Sequence, residues 1–487
     1  MSVDHTKAYE LLGRINSIEV DGKPISFYFT YCGYDLWGVY QSSLFYDLKK
    51  NVDNLSSTGI EVKRSFRVSA SLFLKKIIAH FLLFVVTLIS FILTIFSPRE
   101  VLLFVGDKIS SPTLNNDVRI DPIYEFLRDS RISFVELIHT IPGARTFRNL
   151  YTRKRLVLFY ESFGFFVRKK RRIFLHDTVL KDFSKEEADF VRYLVGKYEE
   201  RFYVSKAWIH TFSWVLKKMR PKAVWGIDDT RYCGELAIVC AEVGIPLYLF
   251  QHGHFTKYHV GWLKYQKQTG VIPRATYLVV WSSYWKQELS RLNTYYEDRE
   301  IIVGGEKVSM MGNNVDRIFD SNVSFRKSVL IPYETDAPKD DLKVFLEKFK
   351  EAGFKVYFKI RSDIPKKVQC DQYGISENDM CVVDEYLPIL KDVCLVVGVY
   401  STFLYDLLKS NIPVAILETP MDYGYGMVEN GLAGIIYKNH PICEQVERLY
   451  KEYPLRRENI TKVFSEKKLL IETIADISKQ CNIILKK

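Results

Sequence analysis

Residues 223–254 read AVWGIDDTRYCGELAIVCAEVGIPLYLFQHGH, and the reading of this stretch decides the fold. It holds two apolar runs, VWGI and PLYLF. The first runs into Asp228-Asp229, the second into Gln251-His252-Gly253-His254. Between them, residues 231–243 have helical spacing and stop at Gly244-Ile245-Pro246. Two parallel strands joined by a helix put both polar ends on the same edge of one sheet. That carboxyl edge is where open α/β sheets bind ligands. Topology alone therefore gathers two carboxylates and one or two imidazoles.

The pattern extends in both directions. Upstream, REVLLFVGD is a short strand from Arg99, residues 122–130 a helix, and ISFVELIHT a second strand. Residues 145–220 interrupt them as a long helical insertion. It carries Arg153, Lys154, Arg155 and the basic run 168–172, with LVLFYESFGFFV between. Such a run suits a solvated face, or else a membrane interface or polyanionic acceptor. Ser184 and Glu187 have capping-box spacing, so a helix starts there. Downstream, TYLVVWSS and REIIVGGEKV are further strands. Polar residues 310–325 read as an interdomain linker. A second alternating unit follows: KSVLIPYE, a helix in APKDDLKVFLEKFKEAG, then KVYFKIRSD, MCVVDE, VCLVVG, IPVAIL and AGIIYK, with a helical tail. Strand–helix alternation of this kind predicts an α/β protein of two Rossmann-like units facing a cleft.

With 487 residues, 47% hydrophobic and 26% charged, the chain has room for large buried cores. Its net charge of +11 suits an anionic partner. Nucleic acid is disfavoured, because no helix-turn-helix, zinc-finger or RNP pattern is present. The eight cysteines form no CxxC pair, which points to thiols of a reducing compartment. The N-terminus lacks a secretory-signal layout.

Residues 1–98 are expected to be a mostly helical N-terminal region. Leu36, Val39, Tyr40, Leu44 and Leu48 share one helical face, for packing or for contact with a membrane or acceptor. Residues 72–96, LFLKKIIAHFLLFVVTLISFILTIF, carry no formal charge after Lys76. That length, about 20 residues, matches a bilayer core of about 30 Å. Three readings stay open: a spanning helix, a helix lying in the plane of the cytoplasmic leaflet with its basic flank on anionic lipid, and a buried core helix.

The pieces GIDD, QHGH, YLVVWSSYWKQEL, IIVGGEKV, LIPYE, FKIRSD and YLPILKDVCLVVGVYSTFLYDLLKSNIPVAIL, in that order, resemble GT-B glycosyltransferases. Within them, the chain is similar to bacterial enzymes of capsule and lipopolysaccharide synthesis with a strand-end Gln-His-Gly, a group related to Kdo- and sialyl-transferase-like enzymes. The resemblance covers about residues 99–450. It implies an acceptor unit at 99–309 and a nucleotide-sugar unit at 326–487. It also implies transfer from a CMP-, UDP- or CDP-linked sugar to a lipid-linked or surface-glycan acceptor, at the cytoplasmic face of the plasma membrane, peripheral or monotopic. No cofactor, metal or nucleic acid is expected. Same-fold alternatives are a polyol-phosphate (glycerophospho-) transferase and a sugar-nucleotide 2-epimerase. A non-catalytic membrane-bound scaffold is the remaining one.

Sugar transfer needs a carboxylate near the reacting carbon, as general base or nucleophile. Asp228 and Asp229 are the candidates, with His252 donating to the donor phosphate or shuttling a proton. Arg231, Gln251, Gly253, His254 and Lys257 are candidates for acceptor or phosphate contact, and Glu235 for orienting Arg231. In the second unit, Tyr400, Ser401 and Thr402 follow a strand ending at Gly398. Backbone N–H groups and hydroxyls there suit a nucleotide phosphate, or the hydroxyls simply cap the helix. The resemblance places Asp406 on a ribose hydroxyl. FKIRSD stands where sialyl-transferase-like relatives have a His-Pro pair. Lys359 and Arg361 are left for the charge work, and Tyr333 and Glu334 for the base or ribose. Asp228-Asp229 is DD rather than DxD, and no metal-ligand spacing is present.

Overall fold

A computed structural model describes residues 5–57, 70–95, 99–105, 120–138, 155–157, 173–228, 232–253, 255–305, 327–335, 337–361, 364–375, 381–465 and 468–483. The expected linker at 310–325, the basic run 168–172, and Asp229, Arg231 and His254 lie outside them.

Two parallel sheets organise the chain. The first contains β1 (Val101–Val105), β2 (Phe134–Ile138), β3 (Arg155–Val157), β4 (Ala223–Ile227), β5 (Leu247–Phe250), β6 (Tyr277–Val280) and β7 (Ile301–Val303). Its strand order is β7-β6-β5-β4-β1-β2-β3. The second contains β8 (Ser328–Pro332), β9 (Lys355–Lys359), β10 (Cys381–Val383), β11 (Leu395–Gly398), β12 (Val414–Leu417) and β13 (Gly434–Ile436). Its order is β10-β9-β8-β11-β12-β13. In the first sheet the order reverses between β1 and β4, in the second between β8 and β11. These are topological switch points, where a crevice opens beyond the strand ends. β1, β4, β5, β8, β11 and β12 are buried throughout and read as continuous apolar runs, as central parallel strands do.

The helices are α1 (His5–Asn16), α2 (Leu36–Ser57), α3 (Ala70–Ile95), α4 (Asp121–Asp129), α5 (Lys185–Met219), α6 (Cys233–Val243), α7 (Ser283–Arg291), α8 (Lys339–Glu351), α9 (Lys366–Tyr373), α10 (Thr402–Leu407), α11 (Tyr425–Glu429), α12 (Ile442–Val463) and α13 (Leu470–Gln480). α5 begins as its sequence predicts: Ser184 Oγ accepts from Glu187 N at 3.2 Å, and Ser184 N donates to Glu187 Oε2 at 2.9 Å.

Two features depart from the sequence reading, and the N-terminal helices take the packing reading left open there. The 145–220 insertion is not wholly helical, because Arg155–Val157 pairs with β2 as a seventh strand. Three residues are too few to set up a readable period. The N-terminal helices are built into the first core: Leu36, Tyr40, Leu44 and Leu48 are fully buried, in one cluster with Phe202 and Phe212 of α5. The C-terminal tail, expected with the second unit, ends on the first. Leu470, Ile474 and Ile477 of α13 share a core with Leu103, Trp225 and Tyr248.

Among the described residues, whose side chains in α3 run unbroken from Phe81 to Thr94, no helix is long and apolar enough to cross a membrane. α3 is amphipathic in an inverted sense. Thr87, Ser90 and Thr94 are buried, their hydroxyls returned to the helix's own carbonyls. Phe91 packs on Trp214 at 5.1 Å between ring centroids. Phe81, Leu82, Leu88, Ile89 and Ile92 are exposed.

Candidate functional site

The first strand ends build a carboxylate–imidazole pair. Asp228 N donates to Phe250 O at 3.0 Å, so the ladder continues one residue past β4 and sets Asp228 beside the 251–253 turn. Asp228 Oδ1 accepts the backbone N–H of His252 at 2.9 Å and also meets His252 Nδ1 in a short contact. The Asp228 side chain is 2% exposed and the His252 ring 25%. With Nδ1–H turned to the carboxylate, Nε2 of the neutral ring is left as the proton acceptor. Asp228 is too buried to meet a large acceptor itself; the imidazole is what it presents.

Gln251 is corrected by the structure. Its Oε1 accepts from Trp281 N at 2.9 Å and its Nε2 donates to Gly253 O at 2.8 Å, so both ends of the amide are engaged inside the fold. It holds the turn and does not reach outward. Gly253 sits where the two units meet: a side chain there would begin 3.7 Å from Thr402 Oγ1. Nearby, Lys257 pairs with Glu429 of α11 at 3.0 Å, so this cation spans the units. Glu235 is fully buried; it accepts from Ser205 Oγ at 2.9 Å and lies 3.8 Å from Arg201.

In the second unit the strand ends are tied by Glu334. Its carboxylate accepts from Val399 N at 2.7 Å, Tyr400 N at 2.9 Å and Ser401 N at 2.5 Å. This corrects the expected anion site, because the backbone donors proposed for a phosphate already hold an internal carboxylate. Burial pushes Glu334 up to about 7, against the three N–H bonds that pull it down. Tyr333 is likewise corrected: it is 3% exposed, with its hydroxyl on Gln372, and belongs to the core. Ser401 Oγ accepts from Phe403 N at 3.2 Å, the capping role weighed from sequence. Thr402 faces Gly253.

Lys359 is mostly buried, its ammonium on Ile360 O and 3.9 Å from Asp384, and burial lowers its pKa. Arg361 is exposed and reaches Thr335 Oγ1 at 3.3 Å. Asp406 is exposed on α10, and its charge adds to the upward push that burial gives the Tyr386 phenol. Among the described residues, no group of three His, Cys, Asp or Glu side chains is placed to hold a metal ion.

Sequence reading missed a cavity of about 300 Å³ inside the first unit, lined in part by Tyr46, Arg201, Tyr232, Cys233, Trp262 and Arg274. It backs the strand that carries the pair: Cys233 Sγ donates to Ile227 O at 3.5 Å, and the Asp228 charge adds to the upward push on the cavity's Tyr296 phenol. Its walls come from segments more than 200 residues apart, and no local pattern marks them.

No protein-family description matches the chain, and no curated protein matches it. Solved structures do resemble it in outline. MurG of Acinetobacter baumannii is 10% identical with a TM-score of 0.45, over 79% of this chain and 100% of that one. The calicheamicin glycosyltransferase CalG4 is 12% identical with a TM-score of 0.47, over 79% and 98%. The UDP-GlcNAc 2-epimerase of Methanocaldococcus jannaschii is 13% identical with a TM-score of 0.43, over 78% and 99%. At these values each is a likeness and nothing more. Two doubly wound parallel sheets, joined in series and meeting at strand-end turns, are the GT-B fold.

Proposed function

We propose that the chain is a glycosyltransferase that moves a sugar from a nucleotide sugar to a lipid-linked or surface-glycan acceptor in bacterial cell-surface polysaccharide synthesis. The observation that carries this reading is the Asp228–His252 pair across the ends of β4 and β5, with Gly253 against Thr402 of the second unit. His252 Nε2 takes the proton of the acceptor hydroxyl as its oxygen attacks the anomeric carbon. The bond from that carbon to the donor phosphate breaks, and its electron pair leaves with the nucleotide. Asp228 fixes the ring and stabilises the imidazolium. Ser401 and Thr402 hydroxyls lie on the donor side. The aromatic cavity with Arg201 and Arg274 suits the acceptor's sugar, at the small end of ligand-pocket volumes. No metal or cofactor takes part in this scheme.

The site works at the cytoplasmic face of the plasma membrane. The exposed apolar stripe of α3, with half-exposed Trp214 and exposed Lys217 and Lys218 on α5, suits an in-plane helix on anionic lipid. Liposome flotation tests this: Leu88→Glu with Ile92→Glu is expected to lose binding to phosphatidylglycerol vesicles, and retained binding refutes it.

The function is tested with purified full chain and a panel of CMP-, UDP- and CDP-sugars, by thermal shift and product analysis. One nucleotide class is expected to raise the melting temperature and to yield a glycosylated acceptor. An epimerised nucleotide sugar without acceptor would favour the 2-epimerase, and no response to any nucleotide would favour a scaffold.

A further inference from the structure

We propose that Glu334 is a positioning residue of this site: it touches no substrate, and one carboxylate filling three consecutive backbone donors sets the 399–402 turn against the 252–253 turn. The inference rests on the glycosyltransferase reading for its functional consequence, and on geometry for the rest. Glu334 follows β8 at the second switch point and is 3% exposed. Oε2 takes Val399 N at 2.7 Å; Oε1 takes Tyr400 N at 2.9 Å and Ser401 N at 2.5 Å. Gly398 makes room, since a Cβ there would lie 3.2 Å from Glu334 Oε1 and 3.0 Å from the Leu404 methyls. With its amide fixed, Ser401 is in place to cap α10 through Phe403 N. Thr402 then comes to 3.7 Å from the Cβ position of Gly253, next to His252. The turn that meets the catalytic pair is thus shaped by a side chain beneath it.

Two consequences follow. A donor phosphate is not met by these three amides, which already face an anion; it meets the hydroxyls the turn presents and the His252 side. The turn is also sensitive to the protonation of Glu334. The titratable group against that residue is the phenol of Tyr373 on α9, whose hydroxyl donates to Glu334 O at 2.5 Å; the charges of Tyr333 and Tyr400 bear on that phenol in turn. Lys359 is turned to Ile360 O and Asp384, and Arg361 reaches Thr335. Burial, the largest influence on Glu334, brings its proton uptake to about pH 7. A neutral carboxyl puts an O–H where only acceptors serve, and the three amides can no longer all be held.

The experiment is hydrogen exchange at 399–401 on the full chain, corrected for intrinsic rates, with calorimetric binding of UDP, CDP and CMP at pH 8 and pH 6. In the wild type, protection of 399–401 and the affinity of the nucleotide that binds are expected to fall about tenfold from pH 8 to pH 6, about a pH unit below the transition. Glu334→Gln is expected to show the weakened state at both pH values. Tyr373→Phe is expected to keep the wild-type pH response. Wild-type protection and affinity in E334Q at pH 8 would overturn the proposal. Should E334Q fail to fold, Glu334→Asp takes its place, since the shorter carboxylate cannot reach all three amides: wild-type protection of 399–401 in E334D at pH 8 overturns the proposal. If protection follows Glu334 while none of the three nucleotides binds, the glycosyltransferase reading falls and the positioning role stands.

Discussion

The two sheets use one device for different ends. In each, a buried carboxylate past one strand ties down the turn past its neighbour: Asp228 holds the 252–253 turn, Glu334 the 399–402 turn. Asp228 divides one oxygen between a backbone N–H and an imidazole that reaches the surface. Glu334 gives both oxygens to backbone and stays sealed. A carboxylate on an imidazole controls a proton that can move; a carboxylate on amides fixes a shape. The first arrangement makes chemistry and the second makes geometry.

The contrast is broken most directly at the first turn. Asp228→Asn and His252→Ala are each expected to lower turnover by about 10²- to 10⁴-fold, the usual loss of a general base or its partner. Full turnover in both variants would reduce the Asp228 turn to a structural one, like its counterpart.

The next effect concerns how the units are held together. Lys49 of α2 and Asp422 of the second unit pair at 3.0 Å with side chains 8% and 9% exposed, and Tyr9 donates to the same carboxylate at 3.3 Å. Lys49→Ala strands a buried charge and is expected to cost about 3–5 kcal/mol in urea unfolding. Lys49→Met with Asp422→Leu is expected to recover most of it. A loss confined to K49A shows that the facing of the two turns depends on the N-terminal helices.

A somewhat smaller effect separates the turns by pH. Glu334 has a folded pKa of about 7 against an ordinary 4.5. Its contribution to stability is therefore fully present below the unfolded value and is lost as pH rises through the folded one. Relative to Glu334→Gln, the wild type should lose about 3 kcal/mol of unfolding free energy between pH 4 and pH 8. A difference of the opposite sign would mean that the three amides outweigh burial.

The smallest effect belongs to Gln251. Replacing it by Leu leaves Trp281 N and Gly253 O without their partner and is expected to cost about 1–3 kcal/mol. Turnover measured below the melting transition should change little, because the amide has no face toward a substrate. A collapse of turnover in the folded variant would return Gln251 to the contact residues.

Much of this was legible in the chain itself. Apolar runs ending in polar residues specify strands and their carboxyl ends, since a central parallel strand is buried on both faces and its polar residues are confined to the edges. Ser184 and Glu187 specify a helix start through three-residue spacing alone. The repeated alternation specifies two doubly wound sheets, and with them the edge on which Asp228, His252 and Ser401 fall. What a strand-end polar residue faces was decided only by tertiary packing. Gln251 and Tyr333 sit at edges exposed in principle, yet Trp281 and Gln372 claim them. Glu334 lies 65 residues from Val399, whose amide it holds. Local sequence sets backbone periodicity because that depends on neighbours within a few residues. The partner of a buried charge depends on which distant segment the core brings against it, and no short-range pattern encodes that choice.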